Sequence, residues 1–478
     1  MMFNQREMTE TLRILYKNTT GHEPTSVTAL TPAGSNRRYY RLQTNGGESL
    51  VGVVGTSADE NRAFVTIARH FLTKGIPVPE VKACSTDMLC YLQQDLGDTS
   101  LFALIQSAGD FSCDGTKASV HNLLRKVMMQ LPDIQFRGAD GLDFGVCYPL
   151  PSMDRRSIMW DLNYFKYCFL KGTGIDFSEP ALEDDFERLA EVLLREPNET
   201  LMYRDFQSRN VMIYDGEPYY IDFQGARRGP VHYDVASFLW QARAHFSDEQ
   251  KENLIAAYLD ALQSWRKTDA DEFRNTLHYF VLFRQLQVLG AYGFRGRMEG
   301  KAHFLQSIPY AIEALKHELQ MFDFAAVPYL QQLLRSMTDS LPPQPASLPD
   351  GLTVQICSFS YKRGIPADKS DNGGGFVFDC RAISNPGRYE QYKTFTGKDD
   401  CVKAFLDGKT DMAVFLQHVF SLVDQAVERY LARGFSHLMV SFGCTGGQHR
   451  SVYAAEHLAE HLKGKYDVHI DLTHKEQQ

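Results

Sequence analysis

Leu201-Met-Tyr-Arg-Asp-Phe-Gln-Ser-Arg-Asn-Val-Met-Ile-Tyr214, followed by Tyr219-Tyr-Ile-Asp-Phe-Gln224, is the stretch on which the first two thirds of this 478-residue chain turn. Asp205 stands five residues before Asn210, and Asp222 closes an apolar strand twelve residues after Asn210. Phosphoryl transfer from ATP needs one carboxylate to orient a hydroxyl and accept its proton. It also needs separate oxygen ligands for the magnesium ion that neutralises the phosphates. Asp205 fits the first role, and Asn210 with Asp222 fits the second. The bland alternative is a charged surface loop, which would require both halves to fall in this order and at this separation by accident.

On the N-terminal side the pattern is β-rich. Residues 5–19 read as an amphipathic helix, and Ser26 to Thr31, Tyr39 to Thr44 and Ser49 to Val54 carry strand residues. Asn45-Gly46-Gly47 is a hairpin signal between the last two strands. The preceding turn, Ala33-Gly34-Ser35-Asn36-Arg37-Arg38, is small, polar and cationic at its end. It could lie over nucleotide phosphates with backbone N–H groups facing them, and it could equally be an ordinary hairpin turn. Glu60 to Lys74 reads as a helix, Val81 to Ala83 and Met88 to Gln94 as strands, and Asp95-Leu-Gly-Asp98 as a turn.

From Leu101 to about Thr338 apolar residues recur at helical spacing, as in His121 to Leu131, Phe186 to Arg195 and Leu254 to Trp265. Asp234 opens an apolar helix after Gly229-Pro-Val-His-Tyr, where a carboxylate caps helix N–H groups or braces the catalytic loop; a structural role is the better reading. Arg284 and Gln287 share one face of an otherwise apolar helix. They read either as a buried, paired arginine and its neighbour or as a substrate contact.

Composition bounds the rest. The length requires two or three domains, and 44% hydrophobic with 23% charged residues is the balance of a soluble globular protein. A net charge of −9 argues against a general nucleic-acid binder while allowing a local basic site. The nine cysteines include no C-x-x-C pair, and nothing requires an oxidising compartment. The polar N-terminus lacks a signal-peptide core and no run reaches the length of a membrane span, so the expected location is the cytoplasm, with no membrane partner.

The four prolines of Leu341-Pro-Pro-Gln-Pro-Ala-Ser-Leu-Pro-Asp-Gly351 mark a stiff linker, after which a strand starts at Thr353. Further on, Ser436-His-Leu-Met-Val-Ser-Phe runs as an apolar strand into Gly443-Cys-Thr-Gly-Gly-Gln-His-Arg-Ser451 and then into an amphipathic helix. Glycines that let the backbone wrap an anion, a helix N-terminus, His449 and Arg450 together read as a phosphate site. Two chemistries could use it. Cys444 lies six residues before Arg450, the C-x5-R-S spacing of cysteine phosphatases. The other is binding without catalysis.

Two resemblances add to these readings. Tyr203-Arg-Asp-Phe-Gln-Ser-Arg-Asn210 and Ile221-Asp-Phe-Gln224 resemble the kinase catalytic loop and the strand ending in D-F-G, with Tyr203 for histidine and Gln224 for glycine. With Gly34-Ser-Asn-Arg-Arg-Tyr-Tyr-Arg-Leu42, Asp95-Leu-Gly-Asp98, Gly229-Pro, Tyr233-Asp and Arg284-Gln-Leu-Gln-Val-Leu-Gly290, residues 1–335 resemble the aminoglycoside phosphotransferase (choline/ethanolamine kinase-like) family. Within it they are most similar to the kinases that phosphorylate N-acetylmuramate and N-acetylglucosamine at the anomeric hydroxyl. The resemblance implies ATP and Mg2+ as cofactors, a bilobal kinase-like fold, nucleotide contacts at Gly34, Ser35, Asn36, Arg37, Arg38 and the backbone of Gln93 and Gln94, and substrate contacts at Arg284 and Gln287. One departure is plain: the strand Ser49 to Val54 holds no lysine for the α- and β-phosphates, a charge that Arg37, Arg38 or Arg41 could supply.

Residues 351–478 resemble the C-terminal domain of the RapZ-type RNase adapter proteins, which sense glucosamine-6-phosphate. The carrying motifs are Ser358-Phe-Ser-Tyr-Lys-Arg-Gly-Ile-Pro366, Val377-Phe-Asp-Cys-Arg-Ala-Ile-Ser-Asn-Pro386, Thr396-Gly-Lys-Asp399 and Cys444-Thr-Gly-Gly-Gln-His-Arg-Ser-Val-Tyr453. This likeness favours binding over hydrolysis and implies Lys362, Arg381, Asn385, Cys444, Gly446, Gly447, His449, Arg450 and Ser451 as sugar-phosphate ligands. RNA or a protein is a weaker expectation as partner, since the basic tail used for RNA is missing. The expected fold class is multidomain α+β: a small lobe over residues 1–94, a helical lobe over 95–338, a linker over 339–350 and an α/β module over 351–478. The expected function is an ATP-dependent amino-sugar kinase of cell-wall metabolism with a sugar-phosphate-binding regulatory domain. The alternatives are a kinase for an aminoglycoside or another small molecule, and an adapter that only binds nucleotide.

Overall fold

Alternation along one short strand, Leu50-Val-Gly-Val-Val54, explains how the first β-sheet acquires two covered faces. Leu50, Gly52 and Val54 turn to the first helix, whereas Val51 and Val53 turn to the second. The computed structural model describes residues 5–30, 37–108, 115–299, 301–305, 307–341, 352–368, 375–432 and 435–477. Gly34, Ser35 and Asn36, the end of the first expected strand at Thr31, and linker residues 342–350 lie outside them. The chain divides into two compact units, Met1–Glu299 with Phe304–Pro342, and Gly300–His303 with Pro343–Gln478.

The first unit begins with α1 (Gln5–Thr20), β1 (Ser26–Ala29), β2 (Arg38–Gln43), β3 (Leu50–Val54), α2 (Ala58–Thr73), β4 (Val81–Cys84) and β5 (Cys90–Gln94). The strands form one antiparallel sheet in the order β1-β2-β3-β5-β4. The β2–β3 connection is the expected turn, with Gly46 at φ +74°, a conformation that costs glycine no steric strain. Leu12 and Tyr16 of α1 bury against Tyr40, Leu42, Leu50 and Leu92. Phe64, Ile67 and Phe71 of α2 join Val51, Val53 and Tyr91 in the main core. Ser57 caps α2 by accepting from the Glu60 N–H at 3.3 Å.

A helical lobe follows: α3 (Leu101–Ala108), α4 (Gly115–Ala139), α5 (Arg155–Cys168), α6 (Glu179–Leu194), α7 (His232–Leu239), α8 (Asp248–Leu262), α9 (Ala270–Tyr292), α10 (Ala302–Leu305), α11 (Ile308–Met321) and α12 (Pro328–Ser340). Between α6 and α7 lie two small antiparallel pairs, β6 (Thr200–Met202) with β9 (Arg227–Gly229) and β7 (Val211–Tyr214) with β8 (Glu217–Tyr220). Helix α9 runs through the middle of the lobe, burying Phe280, Val281, Leu282, Phe283, Leu286 and Leu289. Polar Arg284 and Gln287 are buried with them, which requires partners of like polarity.

The second unit has a four-stranded parallel sheet in the order β11-β12-β10-β13, from β10 (Thr353–Ser360), β11 (Gly375–Asp379), β12 (His437–Cys444) and β13 (His469–His474). Helices α13 (Asp400–Lys409), α14 (Met412–Ala432) and α15 (Arg450–Lys465) contribute to its core, with Val423, Val427 and Leu458 buried among Val354, Ile356, Val440 and Phe442. Parallel pairing brings the carboxyl ends of β10, β11 and β12 together, since Ser360 pairs with Cys444 and Asp379 with Gly443. In open α/β sheets that end is where ligands bind. Among the described residues no helix is long and apolar enough to cross a membrane.

Candidate functional site

In the first unit the site is built on the loop between β6 and β7, whose backbone is held from behind. Asp234, in the first turn of α7 and fully buried, accepts the N–H of Tyr203 at 2.8 Å and of Arg204 at 2.9 Å. Its carboxyl is pushed up to about 7 by burial, against those two hydrogen bonds and the Gln135 amide. The bracing keeps Arg204 at φ +77°, a left-handed backbone that costs a non-glycine residue about 1–3 kcal/mol. Tyr203 is buried and donates its hydroxyl to the Ile221 carbonyl at 2.5 Å, tying the loop to the segment after β8 that carries Asp222; the strand expected to end at Asp222 stops at Tyr220. Gln241 accepts from the backbone and hydroxyl of Ser208 at 3.0 and 2.8 Å.

Held in this way, the loop brings the three predicted residues together. The Asn210 amide donates to the Asp205 carbonyl at 2.8 Å and lies 3.4 Å from an Asp222 carboxylate oxygen. The other Asp222 oxygen accepts from Gln224 at 2.8 Å, and Asp222 itself sits at φ +67°. The Asp205 side chain is 39% exposed, open enough for a hydroxyl to reach it. Arg284 approaches its carboxylate at 3.3 Å from α9.

Arg284 also donates to the side-chain amide oxygen of Gln287 at 2.5 Å and to the Ser237 hydroxyl at 3.2 Å. Gln287 accepts from Tyr233 at 2.6 Å and donates to Asp161 at 2.7 Å, and Asp161 lies 3.5 Å from Arg204. Arg284 and Gln287 therefore share one network with Asp205. The buried pairing weighed from sequence exists, and it ends on the candidate base. Burial pushes the nearby Arg227 down to about 10, and Arg204 adds to that effect.

On the small-lobe side the three arginines separate. Arg41 forks onto Asp95 at 2.6 and 2.9 Å and onto Asp98 at 2.9 Å, with Ser49 also donating to Asp95 at 2.5 Å. Arg38 is exposed on β2. Arg37 is buried, with its guanidinium 3.2 Å from Glu60 and 6.0 Å from the Phe64 ring centre. Gln93 and Gln94 end β5, and the Gln94 N–H donates to the Glu80 carbonyl at 2.9 Å.

Asp161, Tyr233, Gln241 and Glu60 were not identified from sequence. Tyr233 stood there only as part of a carrying motif, and Glu60 has capping-box spacing from Ser57, but its carboxylate goes to Arg37.

In the second unit the loop after β12 wraps the Cys444 sulfur. Gly447 donates its N–H at 3.2 Å and the Ser451 hydroxyl lies at 3.2 Å. Burial pushes the thiol up, but Ser451, the Gly447 N–H and the Arg450 charge together outweigh it and lower its pKa. Gly447 has φ +68° and its α-carbon faces Ser360 and Glu476 so closely that a side chain would collide, whereas Gly446 borders open space. Arg450 is buried, donating to the carbonyls of Arg381 at 3.0 Å and Ile383 at 2.7 Å.

His449 meets the Tyr392 carbonyl at 2.9 Å, and Asn385 caps the neighbouring turn by accepting from Gly387 at 3.1 Å. Arg381 lies 4.0 Å over the Tyr361 ring and pairs with Asp379 at 2.7 Å; Lys362 is exposed at the end of β10. A cysteine phosphatase also needs an acid to protonate its leaving group, and Asp379 and Asp399, which could serve, are both committed. Arg381 holds Asp379 below the usual carboxylate range, and the Thr396 N–H and hydroxyl do the same for Asp399.

Comparison with known proteins gives two family matches. The model of the phosphotransferase enzyme family matches residues 26–270, just over half of the chain. That of the RapZ C-terminal domain matches residues 352–478. A nucleotide-binding protein of Halorhodospira halophila is 41% identical over 126 residues, covering 26% of this chain and 42% of its own length. A nucleotide-binding protein of Xylella fastidiosa is 29% identical over 250 residues, covering 49% of this chain and 81% of its own. Among solved structures, the amicoumacin kinase hAmiN in complex with AMP-PNP, Ca2+ and Ami has a TM-score of 0.44 at 12% identity, covering 72% of this chain and 98% of that one. A choline kinase from Cryptosporidium parvum has a TM-score of 0.47 at 11% identity, covering 68% and 99%. Likenesses at that level carry no argument about chemistry.

Proposed function

This chain belongs to the phosphotransferase enzyme family, and from that premise we propose that residues 1–338 transfer the γ-phosphoryl group of ATP to an amino sugar of the N-acetylmuramate or N-acetylglucosamine type, at its anomeric hydroxyl. The observation that carries the reading is the convergence of Asp205 and Asn210, on one braced loop, with Asp222 just after β8. Asp205 receives the proton of the acceptor hydroxyl, and Arg284 keeps its carboxylate oriented. ATP lies between the lobes, with Gly34, Ser35, Asn36, Arg37 and Arg38 as the proposed contacts to its phosphates and the backbone of Gln93 and Gln94 as the proposed contact to its adenine.

Asn210 and Asp222 are the proposed magnesium ligands. The residues fit such an ion in kind: the Asn210 amide lies 3.4 Å from the Asp222 carboxylate, and magnesium is commonly held by one or two carboxylates plus substrate phosphates. When bound, the ion draws charge off the β- and γ-phosphates.

The charges around Asp205 favour this acceptor class over an aminoglycoside or an amine. Arg204, Arg227 and Arg284 form a cationic cluster that interacts with Asp161, and two of them with Asp205, which disfavours a polycation and suits a neutral or acidic sugar.

For residues 351–478, beyond the linker proposed over 339–350, we propose reversible binding of an amino-sugar phosphate by Lys362, Arg381, Asn385, Cys444, Gly446, Gly447, His449, Arg450 and Ser451. The commitment of Asp379 and Asp399 to other partners supports binding over hydrolysis. Both halves then serve cell-wall sugar recycling in the cytoplasm. Incubation with ATP, magnesium and a panel of sugars, read by phosphorus NMR, tests this. A new sugar-phosphate resonance is expected. Failure of every acceptor, with nucleotide still bound, would replace the kinase by the nucleotide-binding adapter.

A further inference from the structure

We propose that Cys380 and Cys444 form a redox-active pair, in which a peroxide closes a disulfide between the ends of β11 and β12 and thereby dismantles the loop that wraps the Cys444 sulfur. The bond follows from the fold alone; its effect on ligand binding rests on the sugar-phosphate reading above.

Parallel pairing sets the two residues side by side. Asp379 of β11 pairs with Gly443 of β12, and Cys380 and Cys444 are the next residues of the two chains. Asp379 is extended, at φ −92° and ψ 109°, so Cys380 leaves on the face opposite to it, just as Cys444 lies opposite to Gly443. The surroundings agree. On the Gly443 side lies the Tyr361 ring, which a side chain there would strike, with Arg381 over that ring and paired with Asp379. On the other side Cys380 and Cys444 are buried, 0% and 2% exposed, in one apolar core with Tyr453 and Ala454 of α15. Neighbouring strands run about 4.8 Å apart, within the roughly 4.4–6.8 Å between α-carbons that a disulfide spans. Two further cysteines of this unit are placed elsewhere. Cys357 pairs with Ser441, three positions before Cys444 and so on the opposite face of the sheet, and Cys401 is exposed on α13.

Two buried thiols could simply fill the core, as small apolar side chains do. A filler has no need of the donors that converge on Cys444. Against its burial, the Ser451 hydroxyl at 3.2 Å, the Gly447 N–H at 3.2 Å and the Arg450 charge favour the thiolate. Burial and the neighbouring Cys444 push the Cys380 thiol far up, so it keeps its proton. Arg450 also donates to the carbonyls of Arg381 and Ile383, which clasps the turn that begins at Cys380 onto the loop that begins at Cys444. One sulfur is thus poised to attack and the other to resolve.

One peroxide completes the chemistry. The Cys444 thiolate attacks a peroxide oxygen, forming S–O as O–O breaks and hydroxide leaves. The Cys380 sulfur then attacks the sulfenic sulfur, forming S–S as S–O breaks, and the departing oxygen takes the Cys380 proton and leaves as water. Two electrons pass from the sulfurs to the peroxide. Access is from the rim of the loop, where Thr445 and Gly446 are exposed and Gly446 borders open space. A disulfide sulfur carries no charge for Gly447 and Ser451 to donate to, so closure removes two ties that shape the loop.

The full chain, treated with hydrogen peroxide, alkylated and digested without reduction, tests the pair by peptide mass spectrometry, with exposed Cys401 as the internal measure of general oxidation. A peptide linking Cys380 to Cys444 should form before Cys401 is oxidised and vanish with dithiothreitol. Cys380→Ser should form no such link and should trap a Cys444 sulfenic acid that dimedone captures. Glucosamine-6-phosphate affinity, by calorimetry, should fall about tenfold or more in the oxidised wild type, the loss of one or two charged hydrogen bonds, and return on reduction. Oxidation of Cys401 with Cys380 and Cys444 still reduced, over-oxidation of Cys444 without the link, or a link that leaves affinity unchanged would overturn the proposal. If Cys380→Ser does not fold, the wild-type map decides. Reduced wild type that binds no glucosamine-6-phosphate would refute the sugar-phosphate reading, while the peptide map would still judge the pair.

Discussion

Replacing Asp234 by asparagine should change both the size and the pH dependence of stability. In the wild type one carboxylate receives two backbone N–H groups, from Tyr203 and Arg204, in a fully buried site. An asparagine accepts one of them and turns its own N–H2 on the other, so one hydrogen bond, worth about 0.5–1.5 kcal/mol while the wild-type carboxyl is protonated, is lost. Burial also raises the Asp234 pKa from 3.8 to about 7, so the folded chain keeps a proton that the unfolded chain releases near pH 4. The stability this group contributes is therefore full below pH 4 and falls as the pH rises to 7, by on the order of 4 kcal/mol. Asparagine has no proton to lose. The stability of wild type relative to Asp234→Asn should thus be greatest below pH 4 and fall by roughly 2–3 kcal/mol between pH 5 and pH 7.5. All three tryptophans, Trp160, Trp240 and Trp265, lie in the first unit, so urea unfolding followed by their fluorescence reports that unit alone. Parallel pH profiles, or a deficit that widens with pH, would refute the buried-carboxyl reasoning. Turnover should fall by about tenfold or more, because the Asp205 backbone then shifts.

Asp222→Ala should abolish the magnesium dependence of ATP binding, and Asn210→Ala should weaken it less; calorimetry with and without magnesium that found the same dependence in Asp222→Ala would remove Asp222 from the metal site. In the second unit Ser451→Ala should move the pH midpoint of Cys444 alkylation upward, because the Ser451 hydroxyl is one of the groups that lower that thiol; a midpoint that stays put in mass-spectrometric rate profiles would contradict the thiolate cradle. Arg450→Ala should abolish glucosamine-6-phosphate binding while Cys444→Ser alters affinity only modestly, and phosphate release by the wild-type domain that Cys444→Ser stops would reverse the assignment to binding.

The parts of the molecule that were legible in sequence are those in which the chemistry is local. Asp205, Asn210 and Asp222 fall within eighteen positions, and the strand, turn and helix around Cys444 are continuous in the chain. Asp234 could be read as a brace because an aspartate opening an apolar helix has few other uses, and its contacts to the loop bear that out. The illegible parts depend on long closures. Arg41 reaches Asp95 across 54 residues, and Gln287 reaches Asp161 across 126, so no spacing rule could pair them. Three arginines crowded into five positions near β2 look alike in sequence, and only strand alternation and the placement of α2 separate the clasp, the surface residue and the buried cation. The Gly34–Asn36 turn, expected to face the phosphates, lies outside the described residues.

Transfer from magnesium-ATP to N-acetylmuramate by wild type and by Asp205→Asn, followed by phosphorus NMR, tests the assignment of the base most directly. Wild type should yield an anomeric sugar phosphate. Asp205→Asn should bind ATP as before and transfer it about three or more powers of ten more slowly, because both the orientation of the hydroxyl and acceptance of its proton are gone. A variant that keeps a tenth of the wild-type rate, or a wild type that forms no sugar phosphate, would contradict it.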